Sequence, residues 1–179
     1  MVLVFLADGF EEAEALVPVD ILKRCGLEVK TVSVMESKTV TGRSGIKVTA
    51  DESFADFKSK DFSAVILPGG LPGADYLEAS DYVKNAVLCA EENKKLICAI
   101  CAAPKALGAF GVLKGKKATC YPGFEEKLLG AKYVKKGVVK DGNVITACAA
   151  GKSFEFAFKI AESLVKAKEV KDVKKSIFY

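Results

Sequence analysis

The sequence predicts an α/β domain, with a mostly parallel sheet covered by helices on both faces. Three observations lead there. Short apolar runs rich in Val and Ile alternate with stretches of helical period. Several of those runs show no polar alternation, as expected for strands covered on both sides. The 179 residues, 50% hydrophobic and 28% charged, suit one domain over 1–179 with a substantial core.

The elements follow in chain order. Residues 2–7 read as a strand and 11–25 as a helix. Pro18 inside that helix cannot donate to the Glu14 carbonyl, so a bend is expected there. Residues 28–34, 64–67, 96–100 and 144–147 read as further strands, and 81–93, 103–110 and 153–168 as helices. On the last helix Phe154, Phe158, Ala161 and Val165 fall on one stripe. Lys140-Asp141-Gly142-Asn143 marks a hairpin between Val138-Val139 and Val144-Ile145, and 41–45 marks a weaker one before Ile46-Lys47-Val48. The Lys-rich stretch 170–175 reads as a solvated terminal helix.

Composition removes several function classes. There is no His, which excludes Ser-His-Asp and Cys-His nucleophilic machinery and His-ligated metal sites. The net charge of +4 is spread thinly and forms no dense basic run, so nucleic acid is not an expected partner. The apolar N-terminal run has no basic flank and is too short to span a bilayer. A reduced, cytoplasmic compartment is expected, where six Cys are thiols and not staples.

In open parallel sheets, ligands bind beyond the carboxyl ends of the strands. Segments 8–14, 68–73, 101–104 and 149–153 follow strands and should gather at that edge. Cys101 sits where a buried strand passes directly into a helix, the placement of a nucleophile elbow. Helix N–H groups there would favour thiolate and lower the thiol pKa, and could hold an oxyanion. Pro68-Gly69-Gly70 ends the neighbouring strand and could add another N–H. Position alone leaves a second reading open, in which Cys101 is a small buried hydrophobe. A Cys98–Cys101 disulfide is rejected: three strand steps separate the Cα atoms by roughly 10 Å, beyond the reach of a disulfide.

Among the acids of the first helix, Glu14 lies beside the apolar stripe of Ala13, Leu16, Val17 and Ile21. Pointing inward beside the thiol, it would have a raised pKa, carry a proton and serve as acid or base. Thr146-x4-Gly151-Lys152-Ser153 nearly fits a phosphate-binding loop and offers a weaker, nucleotide-binding reading.

Five motifs in order, Asp8-Gly9-Phe10-Glu11-Glu12-Ala13-Glu14, Pro18-Val19-Asp20, Leu67-Pro68-Gly69-Gly70, Ala99-Ile100-Cys101-Ala102-Ala103-Pro104 and Gly151-Lys152-Ser153-Phe154-Glu155-Phe156, resemble the ThiJ/PfpI superfamily. The resemblance covers nearly the whole chain and is closest to the branch of the parkinsonism-associated deglycase. It implies a flavodoxin-like sandwich that forms a homodimer. It places the family's oxidation-sensitive nucleophile on Cys101, its protonated partner on Glu14, and its oxyanion donors on the backbone of Gly70 and Ala102. It implies no cofactor and no metal. The implied activity is that of a glyoxalase or deglycase acting on small aldehydes, or that of an oxidative-stress sensor. Many members carry a His near the cysteine; here Tyr121 takes that position. A phenol is a poor base at neutral pH, which argues against protease activity.

Overall fold

The computed structural model describes residues 1–55 and 61–179. Its centre is a seven-stranded sheet. β1 (Val2–Leu6), β2 (Val29–Ser33), β6 (Ala64–Leu67), β7 (Leu96–Ile100) and β11 (Val144–Ala147) form most of it. β5 (Glu52–Ser53) and β10 (Val138–Asp141) complete the spatial order β10-β11-β7-β6-β1-β2-β5. Every pairing is parallel except β10 with β11, the hairpin across the Asp-Gly turn. β1, β6, β7 and β11 are buried at every position, which is why their sequences lack polar alternation.

Alternation along each strand sorts the core into two layers. Val2, Val4 and Leu6 face α1 (Glu12–Arg24), α5 (Ser153–Leu164) and α6 (Ala167–Ser176). Leu3 and Phe5 face α2 (Gly73–Ala79), α3 (Asp81–Glu92) and α4 (Pro104–Ala109). The weaker hairpin forms as β3 (Thr39–Thr41) and β4 (Lys47–Thr49), paired antiparallel. β8 (Lys117–Ala118) and β9 (Lys132–Tyr133) make a two-residue parallel bridge.

The helix expected over 153–168 ends four residues early, and the terminal helix expected over 170–175 forms but starts at Ala167 and buries Val170 and Val173, so it is not wholly solvated. α5 stops at Leu164, Val165 is extended, and α6 starts two residues later. On α5 Phe158 and Ala161 of the expected stripe are buried, joined by Phe156, Ala157 and Ile160, whereas Phe154 lies outside and stacks on Tyr179. α1 continues through Pro18, which is itself buried.

The parallel register brings the loops after β1, β6, β7 and β11 to one edge. Glu11 N–H donates to Gly69 O at 2.9 Å, and Cys101 N–H donates to Ala147 O at 2.9 Å.

Candidate active site

β7 delivers Cys101 to the sheet edge, and α4 begins three residues later. Cys101 has φ 64, a left-handed backbone that non-glycine residues adopt only at a cost of order 1–3 kcal/mol. Its N–H extends the β7–β11 ladder by one bond, and its carbonyl accepts from Tyr121 N–H at 2.8 Å. The strand thus turns sharply at a backbone-anchored cysteine, as the elbow reading requires.

Glu14 arrives from the first turn of α1 and is 1% exposed. Its Oε2 accepts from Gly69 N–H at 2.9 Å. Its Oε1 is buried with no hydrogen-bond partner among the described residues, and the carboxyl group interacts with the Cys101 side chain. A carboxylate oxygen stranded in this way is costly, and protonation of the carboxyl lowers the cost. Gly69 makes the approach possible, because a Cβ there would lie 2.6 Å from Glu14 Oε2 and 2.7 Å from Cys101 Cβ.

Burial raises the Glu14 pKa to about 7, the direction the sequence predicts. The expectation for Cys101 is corrected. Burial first, and then the charge of Glu14, push its thiol up to about 12. The amides of Ala102 and Gly70 act in the opposite direction but are outweighed. The helix behind the elbow has only six residues, so its dipole adds little. Protonating Glu14 removes its repulsion of the sulfur, so the thiolate is favoured when its neighbour is neutral.

The sulfur opens on a cavity of about 230 Å³ lined by Arg43, Gly70, Leu71, Cys101, Ala102, Tyr121 and Phe124. Tyr121 is 46% exposed and forms part of the wall. Arg43 comes from the turn between β3 and β4. Its N–H donates to Phe10 O at 2.9 Å and its guanidinium lies 3.5 Å from Glu11. The sequence predicts Cys101, Glu14, Gly70, Ala102 and Tyr121, and the fold brings all five together. The sequence does not single out Arg43, Leu71 or Phe124, although Leu71 lies within the segment 68–73 expected at this edge. All three reach the pocket from loops.

Two other sequence readings meet the structure here. Cys98 and Cys101 are both free, and Cys98 is fully buried within β7. The partial phosphate-loop motif is used internally. Thr146 Oγ1 accepts from Thr119 N–H, Ser153 Oγ donates to Ala150 O, and Lys152 pairs with Glu155 at 3.0 Å. Among the described residues, no group of His, Cys, Asp and Glu is arranged to hold a metal, and no helix is long and apolar enough to cross a membrane.

The DJ-1/PfpI family model matches residues 1–163. The chain belongs to the DJ-1/PfpI family. The Danio rerio "Parkinson disease protein 7 homolog" is 40% identical over 176 residues, covering 96% of this chain and 93% of that protein. The crystal structure of Drosophila melanogaster DJ-1beta superposes with a TM-score of 0.93 at 38% identity, covering 99% of this chain and 96% of that one. The structure titled "Toxoplasma gondii DJ-1, oxidized" superposes with a TM-score of 0.95 at 31% identity, covering 99% and 97%. The flavodoxin-like sandwich predicted from the motifs is therefore the fold.

Proposed function

We propose that this protein is a cofactor-independent, cysteine-dependent glyoxalase- or deglycase-type enzyme for small 2-oxoaldehydes such as methylglyoxal. The observation that carries this reading is the pairing of buried Glu14, its Oε1 unpartnered, with the elbow thiol of Cys101. The cavity of about 230 Å³ suits a substrate of a few heavy atoms.

The Cys101 sulfur adds to the aldehyde carbon and forms a hemithioacetal. The amides of Gly70 and Ala102 hold the developing oxyanion. Glu14 removes the proton from that carbon and returns one to the neighbouring carbon, converting the hemithioacetal to a thioester. Water then hydrolyses the thioester, releasing a 2-hydroxy acid and the thiol. Tyr121 serves as a hydrogen-bond donor at the pocket wall and not as a base. Lacking His, the chain has no imidazole for peptide hydrolysis. We place the enzyme in the cytoplasm as a homodimer; Ile21 is spent in the protein's own core, and Val17, half-buried, packs against the same core.

A second reading is supported by the same pair and by the oxidised state in which the Toxoplasma gondii relative was solved. Here Cys101 stops at sulfinate, with protonated Glu14 donating to a sulfinate oxygen, and the protein senses oxidants with little turnover. The deciding experiment follows lactate formation from methylglyoxal without glutathione or added metal, in wild type and Cys101→Ser. Turnover that vanishes in the variant supports the enzyme. No turnover above background in either protein supports the sensor.

A further inference from the structure

A second pair of thiols lies on the sheet face opposite Glu14. Cys120 is fully buried in the layer of α2–α4, and Cys148 is partly exposed. Their segments run side by side. Thr119 N–H donates to Thr146 Oγ1 at 2.9 Å, and Tyr121 N–H donates to Cys101 O at 2.8 Å. Residues 119–121 therefore advance past the end of β11 in the direction that leads from Thr146 to Cys148. Ile145 and Ala147 face the α1 and α5 layer, so Thr146 points the other way, and Cys148 continues the alternation on the Thr146 side. One dipeptide pins both segments: Thr119 Oγ1 donates to Lys136 O at 2.8 Å, and Cys148 N–H donates to Gly137 O at 2.9 Å. A charge on Cys148 is felt at Cys120, and charges on both are felt at Tyr133.

We propose that Cys120 and Cys148 form a reversible intrachain disulfide, a redox site separate from Cys101. The oxidant is a hydroperoxide. The Cys148 sulfur, the more exposed of the two, attacks the distal peroxide oxygen and becomes a sulfenic acid as the O–O bond breaks and an alcohol or water leaves. The Cys120 sulfur then attacks the Cys148 sulfur; the S–S bond forms, the S–O bond breaks, and the two thiol protons end on the alcohol and water. Two electrons pass from the thiols to the peroxide. Both sulfurs are free thiols in the reduced protein. The link would tighten the backbone beside Tyr121, a wall of the neighbouring pocket.

The test uses the full chain carrying Cys101→Ser, so that chemistry at the elbow contributes nothing. Dilute protein is exposed to hydrogen peroxide, free thiols are alkylated after unfolding, and the digest is mapped by mass spectrometry. The expected result is a Cys120–Cys148 peptide lighter by two hydrogens, formed at a rate independent of protein concentration, abolished by dithiothreitol and absent when Cys148→Ser is added. The same link is expected in the unsubstituted protein, which covers the case of a variant that folds poorly. Recovery of Cys148 as sulfinate with Cys120 alkylated, or pairing of either with another cysteine, overturns the proposal. Neither result bears on turnover at Cys101, which is read by lactate formation.

Discussion

At the scale of the residue, Glu14 and Cys101 are neighbours that resist being ionised together. Burial alone raises both, and the charge on Glu14 adds to the rise at the sulfur. Replacing Glu14 by Gln removes that charge. Cys101 in Glu14→Gln should therefore react with iodoacetamide faster than wild type above pH 7, with the difference fading below pH 7 as wild-type Glu14 takes up its proton. Equal rates at pH 8.5 would mean the carboxylate does not act on the thiol. The same variant should lose about 10²–10⁴-fold in kcat/KM for methylglyoxal, the usual contribution of an acid–base group. Gly69 is a third residue of this unit. Gly69→Ala puts a Cβ into Glu14 Oε2, Cys101 Cβ and Ile100 O, all within 2.9 Å. It should destabilise the fold by about 1–3 kcal/mol in urea titrations, as overpacking does.

At the scale of the element, the β3–β4 hairpin holds Arg43 over the pocket by borrowing bonds from the loop after β1. Gly9 N–H donates to Thr41 O at 2.7 Å, Thr41 N–H to Asp8 Oδ1 at 2.8 Å, and Ser44 N–H to Glu12 Oε1 at 2.8 Å. Glu12→Ala leaves the Ser44 amide without its acceptor. Hydrogen exchange at Ser44 should quicken by about tenfold or more, in line with about 1–3 kcal/mol for a lost charged acceptor, while exchange within β1 stays slow. Unchanged exchange at Ser44 would mean the hairpin is held without that carboxylate. The central strands and the strand-to-helix turn at Cys101 were legible because burial on both faces writes itself into composition. Glu14 was legible because it lies beside an apolar stripe on α1. α2 was not, since its seven residues span two turns and show no period. Two C-terminal helices were legible, but the position of the break between them was not, because neither Gly nor Pro interrupts residues 153–168; extended backbone at Val165 makes it. Phe124 was hidden because a loop carries it, and loop paths follow from tertiary contacts.

At the scale of the whole molecule, the buried Glu14 makes stability depend on pH. Its pKa rises from 4.5 in the unfolded chain to about 7 in the fold. Such a group contributes stability that is fully present below pH 4.5 and is lost as pH rises through 7. The shift corresponds to about 3 kcal/mol. Denaturation at pH 5 and pH 8 should show wild type falling relative to Glu14→Gln by up to that amount; a constant gap would mean that Glu14 ionises freely in the folded protein.

The sheet's two outer strands have a consequence for how this protein meets other chains. On one side β5 covers only Val32 and Ser33 of β2, but the Asp51 carboxylate takes the Thr31 N–H at 2.9 Å and Thr31 Oγ1 at 2.8 Å. On the other, β10 is turned antiparallel, and Asp141 on it is engaged by Lys117 N–H at 2.8 Å. On the β2 side a carboxylate takes the backbone N–H that an added strand would need. Growth into a continuous cross-strand ribbon would first have to evict Asp51 from Thr31.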